Sequence, residues 1–185
     1  MAASGGEEGS AQAVKLRAAV LTISDGCHAG TRVDVSGPAV AAQLAERGFD
    51  VAWREVLPDE RTAIEARLKE LAGAGDCQAI FTTGGTGVTA RDVTPEATRA
   101  VVERELPGLG ELMRAEGLQH TRRAALSRAT AGTLAGTLIV NLPGSPRGAR
   151  ESLDAIVDLA PHIVELLQGR TAHESGAGPA AEQPE

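Results

Sequence analysis

The sequence predicts an α/β domain in which helices cover both faces of a mostly parallel β-sheet, giving three layers. Short apolar runs suited to buried strands alternate with amphipathic helical patterns in the order β-α-β-α-β-α over the first half of the chain. Repeated crossovers of this kind build parallel sheets with helices on both faces. The length of 185 residues and a hydrophobic content of 42% fit one domain with a sizeable core.

Three strand–helix pairs are predicted in the first half of the chain. The strands cover residues 16–23, 50–57 and 79–81. The first helix covers residues 36–48, the second follows the break at residues 58–60 and ends in Gly73-Ala74-Gly75, and the third covers residues 94–105. Gly48 suits the position that follows a helix C-terminus. Thr94 is the expected N-cap of the third helix, and Pro95 suits its first turn. The order of these elements is what predicts the parallel sheet.

The second half of the chain is less regular. Residues 106–123 carry a short helical apolar face, and residues 133–142 contain a fourth buried strand at 138–140. A helix is predicted over residues 147–168, and Pro161 should kink or restart it. No internal repeat or second domain is indicated.

The two ends differ in composition from the body of the chain. Residues 1–13 and 171–185 are rich in Gly, Ala and Glu and lack a buried pattern, so a disordered arm and a disordered tail are predicted around one domain at residues 14–170. Five acidic residues of these ends account for most of the net charge of −7. The nearly neutral body offers no basic face for nucleic acid, and the scarcity of aromatic residues argues against stacking on single strands.

Cysteine content and hydropathy favour a cytoplasmic setting without a membrane partner. Two cysteines, Cys27 and Cys77, do not make a disulfide framework. Residues 1–13 have no apolar run of a signal peptide, and no stretch approaches the roughly 20 apolar residues of a membrane helix.

A glycine-rich loop follows the third strand. Gly84, Gly85 and Gly87 come directly after the apolar run and precede the Thr94–Pro95 helix start. Glycines let a ligand approach the backbone closely, and strand–loop–helix junctions of α/β proteins hold phosphate groups. The loop lacks the spacing of the dinucleotide fingerprint. A purely structural turn is the alternative.

Three carboxylates are predicted to meet at one edge of the sheet. Asp25, Asp59 and Asp92 each lie in a polar segment that follows a strand, and the carboxyl ends of parallel strands share one edge. Mg²⁺ prefers one or two carboxylates completed by phosphate oxygens, so nucleotidyl transfer is the chemistry that this pattern favours. The alternatives are that Asp59 caps the next helix, and that Asp92 pairs with Arg91 or caps its own loop.

Positive charge for a nucleotide would have to come from arginine. Lys15 and Lys69 are the only lysines, and neither lies in the glycine loop, so a Walker-type lysine is missing. The candidates are Arg32, Arg91 and Arg147. Asn141 and Ser145, in the turn after the fourth strand, could be turn residues alone.

Several motifs in order resemble the MogA/MoaB family of molybdenum-cofactor biosynthesis, whose domain also occurs in gephyrin and the plant Cnx proteins. The resemblance covers residues 16–168. The motifs are Ile23-Ser24-Asp25, Asp34 with Ser36-Gly37, Leu57-Pro58-Asp59-Glu60, Thr82-Thr83-Gly84-Gly85-Thr86-Gly87, Arg91-Asp92-Val93-Thr94-Pro95-Glu96-Ala97-Thr98, Glu103-Arg104-Glu105-Leu106-Pro107-Gly108, Leu126-Ser127-Arg128 and Asn141-Leu142-Pro143-Gly144-Ser145.

This resemblance implies a molybdopterin-binding fold, usually trimeric, and an activity. Catalytic members use ATP and Mg²⁺ to adenylylate molybdopterin with release of pyrophosphate, and the product passes to a molybdate-inserting enzyme. Asp59 and Asp92 match the two aspartates of metal binding and transfer. The implied substrate-binding residues are Ser24, Asp25, Thr83, Gly84, Gly85, Thr86, Gly87, Arg91, Ser127, Asn141, Pro143, Gly144 and Ser145.

Two positions depart from the family pattern, and the function has alternatives. Val35 stands where relatives often have Arg, and Gly117 stands where many have Ser. Both could alter pterin contacts. A molybdopterin-binding protein of the same fold that does not catalyse transfer is the main alternative, and a gephyrin-like scaffold is the other, although no scaffold domain is present. Retention of both Asp59 and Asp92 favours the enzyme.

Overall fold

Six strands and seven helices build the part of the chain that the computed structural model describes, residues 15–169. The strands are β1 (Arg17–Ile23), β2 (Asp50–Leu57), β3 (Ala79–Thr83), β4 (Arg104–Glu105), β5 (Ala131–Leu134) and β6 (Thr137–Leu142). The helices are α1 (Asp25–His28), α2 (Ser36–Glu46), α3 (Arg61–Gly73), α4 (Thr94–Val101), α5 (Pro107–His120), α6 (Pro146–Asp154) and α7 (Ala160–Leu167). Short 3₁₀ turns cover Arg122–Leu126 and Val157–Leu159. The predicted arm and tail lie outside the described residues.

The strands form one mixed sheet in the order β2-β1-β3-β6-β5-β4. The first four strands in this order are parallel, while β5 pairs antiparallel with both β6 and β4. The predicted mostly parallel sheet is therefore confirmed. A hairpin at one edge was not predicted: Ala135 and Gly136 both have positive φ, 48° and 79°, and turn β5 into β6.

Helices pack on both faces of the sheet and make the predicted three layers. Side chains of β1 alternate between the two cores, with Val20 on one face and Leu21 on the other. The Val20 face is covered by α2, α5, α6 and α7, and the Leu21 face by α3 and α4. With few aromatic side chains, both cores consist mainly of Ala, Val, Leu and Ile.

Two predicted helices have different bounds in the structure. The helix predicted over residues 94–105 ends at Val101, because the next residues pair with β5 instead: Glu103 N–H donates to Thr133 O at 2.8 Å, and Leu106 N–H donates to Ala131 O at 2.8 Å. The helix predicted over residues 147–168 divides into α6 and α7. Pro161 lies in the first turn of α7, so the predicted restart is confirmed.

None of the helices between residues 15 and 169 combines the length and the apolar character needed to cross a membrane.

Candidate functional site

The loops that follow the parallel strands meet at one edge of the sheet. The loop after β1 is joined to β2 by a hydrogen bond from Ser24 N–H to Leu57 O at 2.9 Å. The loop after β3 is joined to β6 by Gly84 N–H, which donates to Leu142 O at 3.2 Å, and Thr83 Oγ1 donates to Pro143 O at 2.7 Å. These bonds bring the predicted polar segments into one continuous surface.

The glycine loop is packed so tightly that two of its positions accept no side chain. Gly84 has φ of 107°, and a Cβ there would lie 2.2 Å from Ile23 O. Gly85 has φ of 61°, and its Cβ would lie 2.3 Å from Thr94 Oγ1 and 3.2 Å from Asp59 Oδ1. Glycine is required here both for the backbone conformation and for the approach of the Asp59 carboxylate.

Thr94 fastens the start of α4 to the glycine loop. Its N–H donates to Gly85 O at 3.1 Å, and its Oγ1 donates to Gly84 O at 3.0 Å. The predicted role of Thr94 as N-cap is wrong, because the helix begins at Thr94 itself and its hydroxyl donates backwards to the loop. The result is a rigid strand–loop–helix junction.

Asp25 and Asp59 hold the loops after β1 and β2 together. Asp25 N–H donates to Asp59 Oδ2 at 2.8 Å, and Asp59 N–H donates to Asp25 Oδ1 at 2.9 Å. The alternative that Asp59 caps α3 is therefore wrong, since its carboxylate points across to the neighbouring loop. Burial raises the pKa of Asp59, and the charges of Asp25 and Asp92 add to the rise.

Asp92 closes its own loop and lies close to the glycines. Its Oδ2 accepts from Thr89 N–H at 2.8 Å and from Thr89 Oγ1 at 2.6 Å. A Cβ on Gly87 would lie 2.9 Å from the same oxygen. Burial raises the pKa of Asp92, but the bonds from Thr89, a Gly87 N–H and the charge of Arg128 outweigh it and leave the pKa below its ordinary value.

Arg91 pairs with Asp25 rather than with Asp92. Its Nη2 and Nε donate to Asp25 Oδ2 at 2.6 and 3.0 Å. This two-pronged bond lowers the pKa of Asp25, and it ties the loop after β3 to the loop after β1. Of the alternatives for Asp92, the capping of its own loop is therefore correct and the pairing with Arg91 is wrong.

Two cavities open beside the glycine loop. We call the first the α5 cavity: it measures about 360 Å³ and is lined by α5 and the 3₁₀ turn after it. We call the second the α2 cavity: it measures about 450 Å³ and is lined by the loop between α1 and α2 and by the start of α2. Gly85, Asp92, Gly144 and Ser145 line both, so the cavities meet at the glycine loop and the turn after β6.

The α5 cavity combines an apolar wall with guanidinium groups. Met113 and Leu126 are on its wall, and Arg114 and Arg123 line it as well. Arg114 is held in place because its Nη1 donates to Ala129 O at 2.9 Å. Gly117 also lines this cavity, and a Cβ there would lie 2.8 Å from the Cβ of Ala124. A serine in place of Gly117 would therefore require the 3₁₀ turn to shift.

The α2 cavity is more polar than the α5 cavity. Arg32, Ser36 and Asp59 line it together with Asp34, whose Oδ1 accepts from Gly37 N–H at 3.0 Å and whose Oδ2 accepts from Thr22 Oγ1 at 2.8 Å. The start of α2 is thereby fixed by a carboxylate. Val35 lines the same cavity and is 57% exposed, so an exposed apolar side chain forms part of its wall.

Most of the predicted site residues lie on the walls of these cavities. Those that do are Ser24, Asp59, Thr83, Gly84, Gly85, Thr86, Gly87, Asp92, Ser127, Pro143, Gly144 and Ser145. Asp25, Arg91 and Asn141 do not line either one. Asn141 is fully buried, and its Nδ2 donates to Thr82 Oγ1 at 3.0 Å and to Thr98 Oγ1 at 2.9 Å, so its side chain connects the sheet to α4.

Sequence reasoning selected one of the cavity arginines and missed others. Arg32 lines the α2 cavity, whereas Arg147 lines neither cavity and pairs with Glu151 on α6 at 2.6 Å. Arg114 and Arg123 carry no motif, and only their position on the elements that cover the α5 cavity reveals them. Ser145 is both a wall residue and the N-cap of α6, where its Oγ accepts from Gly148 N–H at 3.2 Å.

The carboxylates suit a cation that arrives with a phosphate ligand. Within residues 15–169, no group of three or more Asp, Glu, His or Cys side chains is arranged to hold a metal. Asp59 and Asp92 both line the α2 cavity, and the bonds from Asp25 and Thr89 use Oδ2 of each, so Oδ1 can serve a ligand. Two carboxylates completed by substrate oxygens are the usual protein environment of Mg²⁺.

Comparison with known proteins gives a consistent family. Residues 19–162 match the family model described as a probable molybdopterin binding domain. The molybdopterin adenylyltransferase of Helicobacter pylori is 41% identical over 152 residues, which are 81% of this chain and 86% of that protein. The molybdopterin adenylyltransferase of Escherichia coli K12 is 37% identical over 169 residues, covering 83% of this chain and 86% of that protein.

Solved structures agree in fold. The crystal structure of the molybdopterin biosynthesis enzyme MoaB from Thermus thermophilus superposes with a TM-score of 0.79 at 48% sequence identity. The match covers 83% of this chain and 97% of that one.

Proposed function

Because the chain belongs to the family of probable molybdopterin binding domains, we propose that it is a molybdopterin adenylyltransferase of molybdenum-cofactor biosynthesis. It is a nucleotidyltransferase: the adenylyl group of ATP passes to molybdopterin, and pyrophosphate leaves. The curated relatives that carry this activity in their names match more than four fifths of the chain at 37–41% identity.

The observation that carries the proposal is the junction of the two cavities. A transfer between two substrates needs both of them bound with their reacting groups in contact. Under this proposal the α2 and α5 cavities would each receive one substrate. Gly85 and Asp92 line both cavities, and Asp59 lines the α2 cavity. A protein that only stored molybdopterin would not need a second polar cavity at this junction.

Asp59 and Asp92 are the residues that would hold Mg²⁺. When bound, the ion would supply positive charge that offsets the negative charge developing during nucleotidyl transfer. The protein supplies the rest. Gly84 and Gly85 admit close approach to the backbone, and the reciprocal bonds between Asp25 and Asp59 fix one carboxylate. Arg32, on the α2 side, and Arg114, on the α5 side, provide positive charge for phosphate groups.

The proposal also covers the oligomeric state and the cellular compartment. We propose a homotrimer in the cytoplasm that passes its adenylylated product to a molybdate-inserting enzyme. An apolar groove of about 620 Å³ between α5 and α7, with Leu112 and Leu159 partly exposed, gives a neighbouring copy a surface to bury. Two free thiols, Cys27 and Cys77, suit a reducing compartment.

The test is pyrophosphate release by the purified protein incubated with molybdopterin, ATP and Mg²⁺. We expect release that requires all three components, with an adenylylated pterin as the second product. A reaction without molybdopterin is the control for ATP hydrolysis. Tight molybdopterin binding without any pyrophosphate would contradict the enzyme and support the non-catalytic binding protein.

A further inference from the structure

We propose that Arg128 is a positioning residue that fixes Asp92 relative to Asp59 by donating hydrogen bonds to the backbone carbonyls on either side of the exposed turn at residues 88–91. This inference rests on the proposed function, since it assigns Arg128 a part in the same transfer. Arg128 lies far from the glycine loop in sequence, between the 3₁₀ turn and β5, and it lines neither cavity. The proposed role therefore acts through other residues.

The contacts of Arg128 converge on one loop. Its backbone N–H donates to Thr86 O at 3.0 Å. Its Nε donates to Gly87 O at 2.5 Å, and its Nη2 donates to Asp92 O at 2.5 Å. Its Nη1 donates to Glu96 Oε1 on α4. One planar guanidinium thus holds the residue before the turn, the residue after it and the first turn of the helix.

The turn has few other attachments. Residues 88–91 are exposed, and the carboxylate of Asp92 reaches back into the turn to Thr89. The remaining long-range tie is the exposed ion pair between Arg91 and Asp25. Exposed pairs contribute little to rigidity because solvent screens them. The carbonyl contacts of Arg128 therefore fix the backbone of Asp92 at the cavity junction, together with the bonds from Thr94 to Gly84 and Gly85.

The charge of Arg128 also stabilises the two carboxylates beside it. Arg128 is among the groups that keep the pKa of Asp92 and of Glu96 below their ordinary values, against the effect of burial. One carboxylate oxygen of Glu96, Oε2, is buried and has no hydrogen-bond partner within the described residues. The other oxygen, Oε1, accepts a hydrogen bond from Arg128. Removal of Arg128 alone would leave a partly buried carboxylate without its cation.

The contacts of Arg128 determine which substitutions test the proposal. Arg128→Lys keeps one charge but cannot reach both carbonyls and Glu96 together, because an ammonium lacks the planar fork. Arg128→Gln combined with Glu96→Gln removes the fork and the orphaned carboxylate together, which protects folding. Arg99→Gln is the matched control: Arg99 lies on α4, is exposed, forms a 3.7 Å ion pair with Glu105, and acts on Glu96 through its charge alone.

Two measurements on the full chain test the proposal. In hydrogen exchange, we expect peptides covering residues 86–93 to exchange faster in both Arg128 variants, while peptides from β1 and β3 stay unchanged. In pyrophosphate release, we expect kcat to fall about 10- to 100-fold with KM for molybdopterin within about threefold of wild type, because a misplaced group lowers turnover more than binding. The Arg99 variant should match wild type in both.

Each outcome decides the question. Wild-type kcat and exchange in both variants would overturn the proposal. It would also be overturned if exchange rose across the whole sheet and activity fell only in proportion to the folded fraction, because Arg128 would then be a general stabilising residue. If the wild-type protein itself releases no pyrophosphate, the proposed function fails, and the exchange measurement still decides whether Arg128 fixes the turn.

Discussion

Replacement of Asn141 by alanine separates a structural role for this residue from a substrate contact. Asn141 was expected in the substrate pocket, yet its side chain is 0% exposed and joins Thr82 on β3 to Thr98 on α4. Asn141→Ala removes two hydrogen bonds and leaves two threonine hydroxyls to find new partners. We therefore expect a loss of stability with little change in ligand affinity.

The size of the loss follows from the contacts. Two neutral hydrogen bonds contribute about 0.5–1.5 kcal/mol each. Deletion of the carboxamide also removes Oδ1, which is buried without a hydrogen-bond partner in the described part of the chain. Removal of this unpaired oxygen offsets part of the lost stability. We expect a net loss of about 2 kcal/mol, or a fall in Tm of about 4–8 °C for a domain of this size.

Thermal unfolding followed by circular dichroism measures the loss, and a molybdopterin titration at 25 °C measures the binding. Thr98→Val removes one of the two partners and should cost less. The double variant should cost less than the sum of the two single variants, because they share a hydrogen bond. An unchanged Tm together with molybdopterin affinity at least tenfold weaker would refute the structural role and restore Asn141 to the site.

Three further predictions concern the glycine loop, the two carboxylates and the assembly. Gly85→Ala should destabilise the protein by more than the roughly 1–2 kcal/mol that an alanine in left-handed conformation costs, because its Cβ also meets Thr94. Turnover of this variant should fall at least tenfold. Gly73→Ala, whose Cβ meets nothing within 4 Å, is the control in unfolding and pyrophosphate assays. The raised pKa of Asp59 means that its ionised form costs stability above the unfolded pKa, so Asp59→Asn should raise Tm at pH 7 without ligands. The lowered pKa of Asp92 means that its ionised form stabilises the fold at pH values above the unfolded pKa, and that this stabilisation is lost as pH falls through the folded pKa. Asp92→Asn should therefore lower Tm at pH 7, and its difference from wild type should shrink as pH falls from the ordinary value of 3.8 through the lower folded pKa. Equal Tm changes for both variants would contradict these signs. Light scattering coupled to gel filtration should give a trimer mass, and a monomer at micromolar concentration would contradict the assembly.

The fold and the meeting of the loops could be predicted from the sequence because they follow from local patterns and one topological rule. Periodicity identified β1, β2 and β3, and the shared edge of parallel strands placed Asp25 beside Asp59. The edge strand β4 could not be predicted in this way. It has two exposed residues, and its pairing with β5 depends on a partner about 30 residues away in sequence.

The partners of charged and polar side chains were the main failure of sequence reasoning. Sequence adjacency suggested that Arg91 pairs with Asp92, but Arg91 reaches Asp25, 66 residues away. Asn141 follows a buried strand pattern and was assigned to the turn, whereas β6 is buried on both faces and turns its amide into the core. The contacts of Arg128 span 36 and 41 residues, so only the folded chain shows them.

The most direct test of the account is a comparison of turnover and binding in Asp59→Asn and Asp92→Asn. Asn keeps the shape of each side chain and removes the charge that a Mg²⁺ ion needs. At saturating ATP and Mg²⁺, we expect pyrophosphate release to fall on the order of a hundredfold or more in each variant, while molybdopterin affinity stays close to wild type. Normal turnover in both variants would show that these carboxylates are structural and would contradict the catalytic assignment.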